Sequence, residues 1–279
     1  MKKFSTLIVL SFSLLFAGAQ AQAAKQLESL WQTIDLPTPE SVLYVADKKA
    51  PYLFVALIDG QGDVADGKGG ITKLATDGKV IDKNWISGLN APKGMALHEN
   101  YLYVADITEL VIIDIKKQKV IKKIPVADSV FLNDVTVNSS GVVFVSDTRT
   151  NKVHRYLDGK IELYLDKVSS ANGLKALGST LVVGAGQELI LVDADKNRAV
   201  IAKGFESGID GIEMIERGEF IVSCWVGLVY YVHSDGRLEL LIDSREQKIN
   251  TADIGYDPNT QQLFVPNFFK NTVTAYQLK

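Results

Sequence analysis

A four-residue phrase that recurs six times, a spacing near 40 residues between its copies, and short apolar strands in groups of four between them predict an all-β chain folded as a six-bladed β-propeller. The phrase reads Pro39-Glu40-Ser41-Val42, Pro92-Lys93-Gly94-Met95, Leu132-Asn133-Asp134-Val135, Ala171-Asn172-Gly173-Leu174, Ile209-Asp210-Gly211-Ile212 and Thr251-Ala252-Asp253-Ile254. Its second positions are separated by 53, 40, 39, 38 and 42 residues. Such a period with strand-like content marks propeller blades, whereas stacked helical repeats would need a sustained 3.6-residue apolar period that no stretch shows.

Residues 1–23 hold a basic start (Lys2, Lys3), an apolar run from about Leu7 to Phe16, and small-residue cleavage sites at Ala19-Gln20-Ala21 and Ala21-Gln22-Ala23. This is the pattern of a cleaved secretory signal peptide, because the run falls well short of the ~20 residues that a spanning helix needs. The expected mature protein is residues 24–279, periplasmic or secreted, without membrane attachment and without a cysteine at the cleavage point to carry a lipid. The next stretch, LWQTIDL at residues 30–36, reads as a strand with no blade of its own.

The third unit displays the blade pattern: DVTVN, VVFVSD, KVHRYL and KIELYL, with Gly141, TRTN and Asp158-Gly159 at the turns. That is four antiparallel strands per blade joined by hairpins. The second strand recurs as LFVAL, LYVAD, VFVSD, LVVGA, FIVSC and LFVPN, apolar on both faces as a strand between neighbouring blades must be. The last unit supplies only three strands, ADIGYD, LFVPN and TVTAYQL, so the N-terminal strand LWQTIDL is expected to complete it and close the ring. The first interval is the longest because the connection from Ile58 to Ile71, IDGQGDVADGKGGI, is expanded, and it is placed to fold over the mouth as a lid. Asp59, Asp63 and Asp66 within it lack calcium-loop spacing and read as a solvated turn.

Inner strands of a propeller all start at one end of the central tunnel, so Glu40, Lys93, Asn133, Asn172, Asp210 and Ala252 converge on one mouth. Glu40 and Asp210 bring two carboxylates, and Asn133 and Asn172 two amide carbonyls. Hard divalent cations take oxygen donors of this kind: Ca²⁺ first, with Mg²⁺ or Mn²⁺ as alternatives. No His or Cys belongs to the set, which disfavours zinc. Lys93 reads either as a contact for an anionic substrate or developing oxyanion, or as one half of a salt bridge to Glu40 or Asp210. Phe131 and Asn133 join Lys93 as expected substrate contacts.

The phrases containing Glu40, Asn133-Asp134, Asn172-Gly173 and Asp210-Gly211 resemble the Glu, Asn-Asp, Asn-Gly and Asp-Gly motifs of the gluconolactonase, or senescence marker protein (regucalcin), family. They stand in the family order, and the resemblance covers the whole mature chain. It implies a six-bladed propeller with a divalent metal in its central tunnel and hydrolysis of lactones or, in a related branch, of phosphotriesters. It implies Glu40, Asn172 and Asp210 as direct metal ligands, Asn133 as a ligand or as a contact to substrate and water, and Asp210 as the catalytic base. The expected function is therefore a metal-dependent lactonase or esterase in which an activated water attacks a small-molecule lactone or ester carbonyl at the tunnel mouth. Sugar-lactone members carry an Arg two residues before the Asn, where this chain has Phe131. With Trp225 and Phe268 near the same mouth, a more apolar lactone or ester is expected.

His98, His154 and His233 fall outside the ring positions, which leaves no support for a paraoxonase-like histidine pair, a Ser-His-Asp arrangement or a quinone-dependent dehydrogenase. The net charge of −3, or −5 without Lys2 and Lys3, argues against a nucleic-acid partner. Cys224, the single cysteine, has no intramolecular partner and reads as a buried strand thiol. Nothing signals oligomerisation, so a monomer is expected. The alternative from another class is a non-catalytic exported propeller that binds a ligand or protein partner, since fold alone does not give function. The oxygen-donor ring separates the two, because a scaffold has no use for it.

Overall fold

The computed structural model describes residues 24–279, and the signal-peptide expectation for residues 1–23 lies outside the described residues. After β1 (Leu27–Thr33), the first blade is built from β2 (Pro39–Val45), β3 (Tyr52–Leu57), β4 (Gly69–Ala75) and β5 (Val80–Leu89). The second contains β6 (Pro92–His98), β7 (Tyr101–Asp106), β8 (Glu109–Asp114) and β9 (Lys119–Pro125). The third contains β10 (Leu132–Val137), β11 (Val143–Asp147), β12 (Lys152–Leu157) and β13 (Lys160–Leu165). The fourth has β14 (Ala171–Leu177), β15 (Thr180–Ala185), β16 (Glu188–Val192) and β17 (Arg198–Lys203), and the fifth β18 (Ile209–Glu216), β19 (Glu219–Cys224), β20 (Leu228–Val232) and β21 (Leu238–Asp243). The sixth joins β22 (Gly255–Asp257), β23 (Gln262–Asn267) and β24 (Thr272–Leu278) to β1, so the six four-stranded sheets form the expected propeller.

Closure by the amino-terminal strand follows expectation, but its boundaries differ. The paired segment is Leu27–Thr33, in register from Leu27 opposite Leu278 to Thr33 opposite Val273, and not residues 30–36. The strand stops at Thr33 because Asp35 and Thr38 adopt positive φ angles of 61° and 44°, which turn the chain inward toward β2. Leu36 then drops into the core beside Val42, Phe264 and Val273.

The core is divided among the interfaces between blades. Phe54, Trp85, Met95, Leu102 and Ile113 fill the first interface, and comparable apolar clusters fill the other five. Second strands such as β3 and β11 are buried along their whole length, as their unbroken apolar sequences require. Cys224 ends one of them, fully buried, and burial pushes its thiol up to about 12. Native protein is therefore expected to resist a thiol reagent at pH 8 and to show one reactive thiol per chain in denaturant; rapid labelling without denaturant would contradict this placement.

The third position of the phrase explains itself in the packing. A Cβ on Gly173 would collide with the Asp210 carbonyl oxygen, and one on Gly211 with the backbone of Ile254. At these glycines neighbouring inner strands approach each other too closely for a side chain, whereas Ser41, Asp134 and Asp253 occupy the same position in other copies.

Candidate functional site

Each of the first five inner strands breaks register with its neighbour at the phrase: between Pro39 and Ser41, Pro92 and Met95, Leu132 and Val135, Ala171 and Leu174, and Ile209 and Ile212. A bulge of this kind re-aims the side chain it carries, and here it brings the second position of the phrase to the tunnel mouth. Glu40, Lys93, Asn133, Asn172 and Asp210 accordingly line one cavity of about 460 Å³. Ala252 is wholly buried and precedes β22, so the sixth position contributes nothing to that lining.

Carboxylates outside the ring fix its members. Asp106 accepts from the backbone N–H of Ala91 at 2.7 Å, and Asp147 from that of Phe131 at 3.1 Å, which holds the entries to β6 and β10. Asn133 donates through Nδ2 to Thr148 Oγ1 at 3.1 Å, and that hydroxyl donates to the Ala171 carbonyl at 2.8 Å. Asn172 donates through Nδ2 to Asp210 Oδ1 at 2.9 Å.

Two buried oxygens of the ring, Glu40 Oε2 and Asn172 Oδ1, have no hydrogen-bond partner. Orphaned buried acceptors are costly, on the order of 1–3 kcal/mol each, so a cavity that retains two of them invites an external cation. Burial, then the neighbouring Asp210 carboxylate, raise Glu40 well above the usual carboxylate range against the pull of Lys93. Asp210 is pushed up to about 7 by burial, opposed by the Asn172 hydrogen bond. Two carboxylates and two amide carbonyls with orphaned oxygens fit a hard divalent ion.

Lys93 is only 1% exposed, yet it forms no ion pair with Glu40 or Asp210 among the described residues. Its Nζ donates to the Gly62 carbonyl at 2.8 Å and the Ala91 carbonyl at 3.0 Å, and lies 4.4 Å from the Phe131 ring centre. The loop from Ile58 thus runs over the mouth as expected. Asp63 ties it to Arg149 at 2.9 Å, and the Arg149 guanidinium covers the Phe131 ring at 4.4 Å. Asp66 pairs with Lys68 at 3.0 Å on the loop's exposed side.

Asp63, read from the sequence as part of a solvated turn, instead lines the cavity and pairs with Arg149; sequence reasoning missed Arg149 and Phe269, which line it together with Phe131, Trp225 and Phe268. It also missed a pair of carboxylates in the tunnel. Asp134 accepts from Val135 N and Leu174 N, both at 2.6 Å, and burial pushes it up to about 7. Asp253 accepts from Ser41 Oγ at 2.6 Å, and burial followed by the Asp134 charge raises it strongly. Acidic residues at the third position of the phrase were the available signal.

The whole architecture matches a streptogramin B lyase structure with a TM-score of 0.66 and 9% identity, covering 91% of this chain and 98% of that one. A catalytically inactive virginiamycin B lyase from Staphylococcus aureus, with quinupristin, matches at a TM-score of 0.60 and 12% identity, with the same coverage of both chains. This chain shares the fold of those lyases. A family model described as the LVIVD repeat matches residues 92–116, which span β6 to β8 and include Leu110-Val111-Ile112-Ile113-Asp114. Asp114 clasps the turn that follows by accepting from Lys117 N at 3.0 Å. No curated protein matches the chain by sequence. These likenesses establish the six-bladed propeller, and the chemistry rests on the site.

Proposed function

We propose that the protein is a metal-dependent hydrolase of the lactonase or esterase type, acting as an exported monomer after loss of residues 1–23. Glu40, Asn133, Asn172 and Asp210 would hold the divalent cation, Ca²⁺ before Mg²⁺ or Mn²⁺. The supporting observation is the pair of buried, unpartnered oxygens, Glu40 Oε2 and Asn172 Oδ1, in a cavity that also contains Asp210.

A cation held there supplies Lewis acidity toward a carbonyl oxygen and lowers the pKa of an adjacent water. Everything else falls to the chain. Asn172 fixes one oxygen of Asp210, leaving the other to orient a water or take its proton. With its charge committed to a cation, Asp210 contributes through position more than through basicity. Asn133, steadied by Thr148, offers its carbonyl to the cation or to a substrate hydrogen. Lys93 adds positive potential at the mouth where an oxyanion would develop, and Phe131 shields that side from water.

The test is a panel of lactones and esters assayed with and without chelator, alongside melting curves with millimolar Ca²⁺. Turnover that disappears with chelator, and a melt raised by about 5–10 °C with Ca²⁺, are expected. Equal turnover in both conditions rules out metal-assisted hydrolysis. A raised melt with no turnover on any substrate would favour the ligand-binding alternative.

A further inference from the structure

The cavity walls are uneven around the ring. The loop from Ile58 leaves the first blade, crosses the second where Gly62 meets Lys93, and reaches the third through Asp63 and Arg149. The fifth and sixth blades raise Trp225, Phe268 and Phe269, with Trp225 edge-on to Phe268 at 4.8 Å and 70°, and to Phe269 at 5.9 Å. The fourth blade raises nothing. Its β15–β16 connection is only Gly186-Gln187, and Asn172 alone represents that blade in the cavity lining. The second blade is equally low, but the loop roofs it. The cavity lining therefore has a gap at the fourth blade, between Arg149 on the third and Trp225 on the fifth.

We infer that this gap is the path for a hydrophobic chain, and that the substrate is a lactone or ester bearing an uncharged alkyl or arylalkyl group that lies on Trp225 and Phe269. This deepens the hydrolase proposal and rests on it for the reacting group.

Three observations converge on that chemistry. Phe269 is 64% exposed at the cavity edge against Trp225, and Val226, next in sequence to Trp225, is also exposed, so apolar surface continues from the cavity out over the rim. Aromatic surface left in water at a cavity edge is surface a ligand can cover with gain. The ring oxygens of Glu40, Asn133, Asn172 and Asp210 stand at the inner end, where a carbonyl would sit, and the remaining polar side chains of the lining, Gln61, Asp63, Lys93 and Arg149, belong to the loop and to the second and third blades, not to the aromatic wall. Finally, neither cation of the lining is offered to a tail at the rim: Arg149 is paired with Asp63, and Lys93 is buried with its Nζ held on two backbone carbonyls. An anionic tail at the rim would find no unpaired counter-ion there, whereas a hydrocarbon chain needs none.

The probe is a series of γ-lactams, which resist hydrolysis, carrying linear alkyl chains from butyl to decyl. Binding to the full mature protein with Ca²⁺ is measured by calorimetry, and hydrolysis of the corresponding lactones is assayed in parallel. Affinity is expected to rise about two- to fourfold per methylene until the aromatic wall is covered. Phe269→Ala, at an exposed position that the fold does not need, should at least halve that increment. Gln187→Trp, which places bulk in the gap, should weaken the octyl lactam about tenfold while leaving the butyl lactam within about twofold. Affinity independent of chain length, no binding of any lactam, or an increment unchanged in both variants would overturn the inference. The two proposals separate cleanly. Chain-dependent lactam binding without lactone turnover upholds the chain path and removes the hydrolase, and turnover with a flat chain dependence does the reverse.

Discussion

Glu40→Gln is expected to lower calcium-dependent turnover by at least about a hundredfold while raising the melting temperature of the chelated protein. The two effects have one origin. Glu40 and Asp210 are 5% and 4% exposed, burial raises the pKa of both, Asp210 raises Glu40 further, and they face each other across a mouth in which Glu40 Oε2 has no hydrogen-bond partner. Without a cation, the protein bears the cost of burying two mutually unfavourable carboxyl groups, and an amide at position 40 removes one of them at nearly the same volume. A gain of about 1–2 kcal/mol, or about 3–8 °C for a domain of this size, should follow in chelator. With Ca²⁺ the order reverses: the parent gains the stabilisation of binding, and the variant, short of one anionic ligand, gains little. Parallel melting curves in chelator and in Ca²⁺ decide the matter. A Glu40→Gln protein that melts below the parent in chelator and still responds fully to Ca²⁺ would show that this carboxylate serves packing alone.

Removing residues 24–36 from the mature chain should cost about 5 kcal/mol and lower the melting temperature by about 10–20 °C. The deletion takes away β1 and leaves the backbone edge of β24 unpaired from Val273 to Leu278. It also takes away Leu36, which is buried against Val273 and Phe264, and the Trp31 ring, which packs tilted against Phe264 with ring centres 5.9 Å apart. The first blade loses support as well, because Trp31 Nε1 donates to the Thr76 carbonyl at 3.0 Å and Thr33 Oγ1 to the Gly78 carbonyl at 2.6 Å. A synthetic peptide of residues 24–36 added to the truncated protein should restore part of the loss by strand addition. A truncated protein that melts like the parent would mean that the ring is held by its other interfaces and that β1 is dispensable.

Blade number, strand order and the sharing of the last blade were all legible in the sequence, because the phrase repeats at a constant interval and second strands must be apolar on both faces. The convergence of Glu40, Asn133, Asn172 and Asp210 was legible for the same reason: equivalent positions in a closed ring face one another. The bulges that aim them were not, since a register break depends on pairing geometry and leaves no mark in the residue types. Lys93 was ambiguous in sequence and resolves into contacts with Gly62 and Ala91, because backbone carbonyls lay closer than either carboxylate. Arg149, Asp63 and Phe269 sit on loops, where position follows from how far each connection reaches over the mouth and not from its place in the repeat. The end of β1 was misplaced because the residue types give no stop signal after Thr33. Ile34 and Leu36 carry the apolar alternation past that point, and only the positive φ at Asp35 breaks it.

The pairing of β1 with β24 also sets when the ring can form. Leu27 meets Leu278, so this ladder must wait until nearly the whole described chain has been made and brought round. The entropy of closing so long a loop grows only with the logarithm of its length, but contacts of such sequence separation slow folding far more than they weaken the product. Until they are made, both β24 and β1 expose free backbone edges that can recruit a second chain. The latch that stabilises the finished propeller is therefore also its slowest and most aggregation-exposed step, and dilute refolding should yield more native protein than concentrated refolding.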